Sequence, residues 1–499
     1  MSDDFGANYS MTGGLSKIRA LTVGLLAVAA GVAVSLCCLA ADPPAPSPAT
    51  GFDPLTAEQI DTLTQAFQLI KHDYAGRVDD NALMYGAIKG MVSSLDPHSA
   101  FLEPAAYARL REQLNGGFAG VGLQVGQQDG ALRVFAPVPN SPAAKAGIRA
   151  GDLVTRIDET PAQGLTLADA VKRMRGEPGT QVRLIVYRPA EDRSMTFVLT
   201  RAFIHQNNVT MERPVPGFGY VRIGGFNEET VPDLANRLKA LAQTDPELKG
   251  LVLDLRANGG GVLQDAVGVA SAFLPQNTEI VSVQDRQPKN SHVYRVAYAD
   301  YRRPAYTADP LADLPAIFKT VPMVVLTNAQ SVSVTEVLAA ALQDTHRAVV
   351  MGSATFGKGT IQATGPLPGG AGLMLTVARY YTPSGRSLQN VGVQPDLPVD
   401  DHPPDQSDDL PAVREIDLDH HLSSQAGRPD TALEQTHAAA VINRLQSIEA
   451  QRAQSSRLGP TARRSNQPAE YGKPGDFMLS QALNWLQHKP LTLSKAKQE

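Results

Sequence analysis

Apolar residues recur at steps of three and four from Leu55 to about Leu114, first as Ile60, Leu63, Phe67 and Ile70, then as Leu83, Ala87, Met91 and Leu95. That spacing predicts helices, broken at Asp96-Pro97. From Gly116 to about Phe203 the texture changes. The short apolar runs Leu132–Ala136, Leu153–Ile157 and Val182–Tyr187 stand between turn residues, with a helical pattern over Leu167–Met174. This predicts a compact β-rich domain with two helices. Further on, Tyr220–Ile223, Leu251–Leu255, Met323–Thr327 and Ala348–Met351 predict buried strands. Helical patterns over Val231–Ala242, Ala266–Phe273 and Val334–Gln343 separate them, and Leu373–Tyr381 predicts a longer strand. Strand–helix alternation with short joints implies an α/β core of βαβ units. Residues 401–470, rich in Asp, Pro, Ser, Gln and Ala, read as a linker with one helix. Phe477–Leu486 is amphipathic and is predicted to dock back.

The N-terminus changes the picture. Lys17 and Arg19 precede an uncharged run, Leu21–Ala41, in which only Thr22 and Ser35 are polar. Basic residues before an apolar run form a secretion signal, with Leu39-Ala40-Ala41 as the cleavage region. The run is also long enough to stay as an anchor in the inner membrane. Either way the remainder is exported, to the periplasm or cell envelope. The expected organisation is a signal or anchor (1–41), a Pro/Ala linker (42–54), an N-terminal helical region (55–115), a β-rich domain (116–203), an α/β core (204–400) and a C-terminal extension (401–499). The chain has 499 residues, 43% hydrophobic and 19% charged, enough for about three domains. Its net charge of −5 excludes an electrostatically driven nucleic-acid binder. Both cysteines, Cys37 and Cys38, lie in the apolar run, so the exported part has no thiol chemistry.

The candidate chemistry lies after the third strand of the core. In Thr327-Asn-Ala-Gln-Ser-Val-Ser-Val-Thr-Glu336, Ser333 follows a buried strand and opens a helix. Sites on open sheets form at that edge, and the helix N-terminus favours a developing oxyanion. Ser333-x-x-Glu336 is equally a capping box. Lys358 is bracketed by Gly357 and Gly359. To act as a general base it must be neutral, which burial brings about by lowering its pKa. Gln362 is suited to orient the amine without adding charge. Gly352–Lys358 has phosphate-loop spacing, but Gly359 stands where that motif needs Ser or Thr. His292 and His346 are the histidines weighed as triad partners for Ser333. No metal-ligand spacing is present, and no metal or nucleotide cofactor is expected.

Asp254-Leu-Arg-Ala-Asn-Gly-Gly-Gly261, Ser331–Glu336, Thr355–Gln362 and Ala378-Arg-Tyr-Tyr-Thr-Pro-Ser-Gly385 resemble the signature blocks of the carboxyl-terminal processing (tail-specific) peptidases. Ser94-Leu-Asp-Pro-His-Ser-Ala-Phe101 and Gly392–Asp396 flank them. The resemblance implies a core of the ClpP/crotonase-like α/β type, with Ser333 as nucleophile, Lys358 as base and Gln362 as its support. The amides of Gly261 and Val334 would form the oxyanion hole. The family usually has alanines between the serines, where this chain has Val332, Val334 and Thr335. Gly116-Gly-Phe-Ala-Gly-Val-Gly-Leu-Gln-Val125 resembles a PDZ carboxylate loop. That makes Gly117, Phe118, Ala119, Gly120, Val121 and Gly122 the candidate tail-binding residues, with Arg175 as a candidate coupling residue. The implied partners are proteins or peptides with accessible apolar C-termini. Homo-oligomers and a lipoprotein adaptor are also implied. The rival reading is a non-catalytic tail-binding scaffold that keeps the fold.

Overall fold

The computed structural model describes residues 54–114, 117–128, 131–205, 208–403, 413–425 and 471–494. The apolar run Leu21–Ala41 lies outside them. Among the described residues no helix is long and apolar enough to cross a membrane. The described residues divide into two compact units, one up to Leu83 and one from Met84 onward. In the first, the helix Ala57–Asp73 is started by a capping box between Thr56 and Gln59. Its periodic apolar residues Ile60, Leu63 and Ile70 are exposed.

The centre of the second unit is a six-stranded sheet. Val209–Val215, Phe218–Ile223, Gly250–Asp254, Met323–Thr327, Val349–Gly352 and Leu397–Pro398 lie side by side in that order. The first is antiparallel to its neighbour and the rest are parallel. Successive side chains point to opposite faces. Leu251, Leu253, Val325 and Val350 therefore meet the helices Thr230–Thr244, Leu263–Phe273 and Val334–Asp344. Val252, Val324, Leu326 and Met351 meet the other face. There the helix Phe477–Leu486 covers them with Met478, Leu479, Ala482 and Leu486. Burial on both faces explains why these strands read as continuous apolar runs. The amphipathic C-terminal segment docks as its pattern predicts. Asp476 caps it, accepting the Leu479 N–H, and pairs with the buried Arg256 at 2.6 Å.

The β-rich domain is an antiparallel sheet in the order Leu123–Gln128, Ala131–Pro137, Leu153–Ile157, Gln181–Arg188 and Arg193–Thr200. Val134, Ile157, Leu184 and Val186 fill its core. Leu123–Gln128 is an edge strand, and the helix Leu167–Met174 packs beside it.

A third sheet differs from expectation. The sequence predicts helices from Leu55 to about Leu114 with a break at Asp96-Pro97, yet after that break Ala100–Leu102 is a strand, paired with Gly372–Met374. Three residues carry no usable alternation, and their partner is remote in sequence. The long strand Gly372–Tyr381 also pairs with Glu279–Asp285 and Thr360–Pro366. Gly117–Gly120, expected as a loop, is likewise a short strand paired with Ala202–His205.

Candidate active site

The turn that leads from Met323–Thr327 into Ser333 is stitched to its neighbours. Ser331 Oγ donates to the Leu255 carbonyl at 2.8 Å and accepts the Asn328 N–H at 3.1 Å. The Val332 N–H donates to the Asn258 carbonyl at 3.0 Å. Held this way, Ser333 adopts φ 63°, ψ −122°, a left-handed conformation for a residue with a side chain. Such strain costs about 1–3 kcal/mol and persists only where the surroundings enforce it. The Val334–Asp344 helix starts there, and its Glu336 and Val337 amides donate to the Ser333 carbonyl at 2.8 and 3.2 Å.

Glu336, on the first turn of that helix, is fully buried. One oxygen, Oε2, accepts the Ser333 N–H at 2.7 Å and the Lys358 N–H at 3.0 Å. The other, Oε1, accepts the Thr355 hydroxyl and the Gly357 N–H, both at 2.6 Å. Both backbone nitrogens thus hang from one atom and lie within about 6 Å of each other. Burial pushes Glu336 up to about 7, against the four donors that pull it down. The capping-box reading of Ser333-x-x-Glu336 therefore holds alongside a second role. The same carboxylate ties the serine turn to the lysine loop.

Gly357 has φ 97°, and a Cβ on Gly359 would lie 2.3 Å from the Gln389 nitrogen, so both positions flanking Lys358 require glycine. The Lys358 amine donates to the Thr360 carbonyl at 3.2 Å and, by a shorter bond, to Gln362 Oε1. Two acceptors match the two N–H groups of a neutral amine and leave its lone pair uncommitted. Burial pulls Lys358 down to about 8, against the nearby charges of Glu415, Glu336 and Asp96. Gln362 is fixed in turn. Its amide donates to Thr360 Oγ1 at 3.1 Å and Thr376 Oγ1 at 3.0 Å, and Thr376 donates to Asp96 Oδ1 at 3.0 Å. A directed chain of donors thus runs from the amine to Asp96.

The Ser333 hydroxyl lies near the Tyr380 phenol, and among the described residues no hydrogen bond joins it to Lys358. Burial holds the Tyr380 phenol above its ordinary range, so it stays protonated. Gly261 is exposed and Val334 is buried. Among the described residues neither N–H donates a hydrogen bond elsewhere.

The other candidates sort clearly. Phe118 and Ala119 lie on the paired strand, while Val121 and Gly122 form the turn into the edge strand Leu123–Gln128. The carbonyls of that turn are pinned by the Ala143 N–H at 3.0 Å and the Val138 N–H at 2.9 Å. Arg175 ends the Leu167–Met174 helix, pairs with Glu112 and lies 4.9 Å over the Phe118 ring. His292 is on the surface with Asp300. His346 follows the far end of the Val334–Asp344 helix, so neither histidine meets Ser333. The amides of Gly357 and Lys358, which a phosphate would need, are taken by Glu336.

Sequence reasoning missed Tyr380, Thr376 and the work of Asp96 and Glu336. Asp96 and Glu336 stood inside motifs already noted. Thr376 and Tyr380 lie on one face of a strand whose pattern gives only burial.

Family comparisons agree with this architecture. The peptidase family S41 profile matches residues 217–399, a PDZ domain profile matches 133–188, and the profile of the activating protease CtpB N-terminal domain matches 47–105. A carboxy-terminal-processing protease of Bartonella bacilliformis is 36% identical over 70% of this chain and 77% of its own. The carboxy-terminal processing protease CtpB of Bacillus subtilis is 31% identical over 70% and 72%. A solved photosystem II D1 C-terminal processing protease aligns at 32% identity over 69% of this chain and 94% of that one, with a TM-score of 0.38. With a PDZ domain, an S41 domain and relatives matched over most of its length, the chain belongs to the carboxy-terminal processing proteases, serine-type peptidases of family S41.

Proposed function

We propose that this peptidase cleaves exported proteins that present an apolar C-terminal tail, with Ser333 as nucleophile and Lys358 as general base. One observation carries the reading: the Ser333 and Lys358 loops share a single oxygen of buried Glu336, while the lysine amine donates to only two acceptors. With the amine pulled to about 8, roughly a tenth is neutral at pH 7. An ordinary lysine would offer about two hundred times less.

The Ser333 hydroxyl turns from Tyr380 to the amine. Its proton passes to the lone pair of Lys358 as Oγ bonds to the scissile carbonyl carbon. The N–H groups of Gly261 and Val334 hold the oxyanion. As the C–N bond breaks, the ammonium returns the proton to the leaving nitrogen. Water, deprotonated by the same amine, then releases the acyl group and regenerates Ser333. Gln362 keeps the amine oriented through both proton transfers.

Tail recognition rests on the open edge of Leu123–Gln128 beside the helix Leu167–Met174, which suits addition of an extended peptide strand. The Val121–Gly122 turn at its start is the candidate site for the terminal carboxylate, and Arg175 is the candidate residue that couples its binding to cleavage. Export follows from the basic and apolar N-terminal sequence.

A fluorophosphonate probe tests the chemistry. Ser333 should be labelled, Lys358→Ala should abolish labelling and proteolysis, and every His→Ala variant should retain both. Comparing new C-termini of exported proteins with active and Ser333→Ala enzyme by mass spectrometry identifies substrates. Full proteolysis by Lys358→Ala would refute the assignment.

A further inference from the structure

The C-terminal extension returns to the active site. Residues 413–425 lie beyond the S41 match, which ends at residue 399. Even so, this short segment grips the lysine loop on both sides. The Arg414 Nε donates to the Thr355 carbonyl at 3.1 Å, and the Glu415 N–H donates to the Phe356 carbonyl at 3.0 Å. Glu415 is buried, with its carboxylate engaged at both ends. Oε1 accepts Gln389 Nε2 at 2.9 Å, and the Oε1 of that same Gln389 accepts the Gly359 N–H at 2.9 Å. The other oxygen, Oε2, meets His98 Nε2 at 2.6 Å, with the ring half-buried. Gln389 also donates to the Leu422 carbonyl at 3.0 Å, and Arg379 to the Ser423 carbonyl at 2.6 Å.

We propose that Glu415 is a positioning residue for Lys358: it clamps the loop from residue 356 to 359 and holds an anion near the amine. The proposal rests on the Ser–Lys reading above. A buried carboxylate near an amine favours its protonated form. Glu415 thereby trades some basicity for geometry. Around the amine the charged groups are Glu415, Glu336 at the helix start and Asp96 behind Gln362 and Thr376. Arg414 flanks Glu415 along the chain, and His98 faces both Glu415 and its own turn residue Asp96.

The test is the pH dependence of fluorophosphonate labelling of Ser333 in the full chain, for the parent and for Glu415→Gln, Glu415→Asp and Lys358→Ala. Glu415→Gln removes an anion and keeps an acceptor for Gln389. Its rising limb should move to lower pH by about one unit. Glu415→Asp keeps the anion and shortens its reach to Gln389, so its limb should stay with the parent while labelling slows at every pH. A Glu415→Gln limb that superimposes on the parent or moves to higher pH overturns the proposal, while an inert Lys358→Ala leaves the Ser–Lys reading intact. If Lys358→Ala labels at the parental rate, that reading fails and takes the proposal with it. Should Glu415→Gln lose its cooperative melt, Glu415→Asp decides alone: labelling at the parental rate overturns the proposal.

Discussion

Replacing Lys358 with methionine tests the buried amine through stability rather than turnover. Burial holds the folded-state value at about 8, while the unfolded chain has the ordinary value near 10.4. Between those values the unfolded chain binds a proton that the folded chain lacks. Stability therefore rises with pH across that window, and below pH 8 the full cost of burying the cation is present. Some 2.5 units at 1.36 kcal/mol each give about 3 kcal/mol, reduced to about 2 by local relaxation. Methionine has no such slope. It loses the bonds to Gln362 and Thr360, a constant penalty of about 1–2 kcal/mol at every pH. The diagnostic quantity is thus the change with pH of the stability difference between the two proteins. The single tryptophan, Trp485, sits on the C-terminal helix against the core sheet, so its fluorescence reports urea unfolding of that core. From pH 7 to 10.5 the parent should gain about 2–3 kcal/mol over Lys358→Met, with equal m-values. The buried tyrosines that titrate near the upper end are common to both proteins and cancel. A difference constant within about 0.5 kcal/mol over that range would falsify the claim that the folded amine is held near neutrality.

Other expectations follow from the same geometry. Glu336→Ala strands three amides and the Thr355 hydroxyl, and should cost about 3–5 kcal/mol in thermal unfolding while cutting Ser333 labelling at least tenfold. Gly260→Ala puts a Cβ 3.0 Å from the Val332 carbonyl and 3.2 Å from the Ser333 Cβ at φ 96°. It should lose about 1–3 kcal/mol in a melt and slow labelling more than it weakens tail binding. Arg175→Ala breaks a half-exposed pair with Glu112 and a cation–π contact with Phe118. Stability should change by under about 1 kcal/mol. Affinity for an apolar-tailed peptide, read by fluorescence anisotropy, should fall severalfold, and unchanged affinity together with unchanged cleavage would remove Arg175 from the tail-binding set.

Much of this was legible in the chain itself. Val252, Val324 and Leu326 sit in apolar runs because both sheet faces are covered, and that pattern survives without knowing what covers them. Ser333, Lys358 and Gln362 were visible because glycines and a strand–helix joint surround them. The strand Ala100–Leu102 and the β-pairing of Gly117–Gly120 were not, since a backbone ladder to remote partners leaves no mark on side-chain order.

Local rules thus settled most helices and strands of the α/β core and nominated the candidate side chains. They did so because periodicity, capping and turn preferences act between near neighbours. Tertiary structure alone decided that one Glu336 oxygen serves both loops, that Asp96 stands behind Gln362, and that Glu415 arrives from the extension to meet His98. Those bonds join residues far apart along the chain. Whether a carboxylate is a solvated surface charge or a buried partner depends on the packing that closes over it.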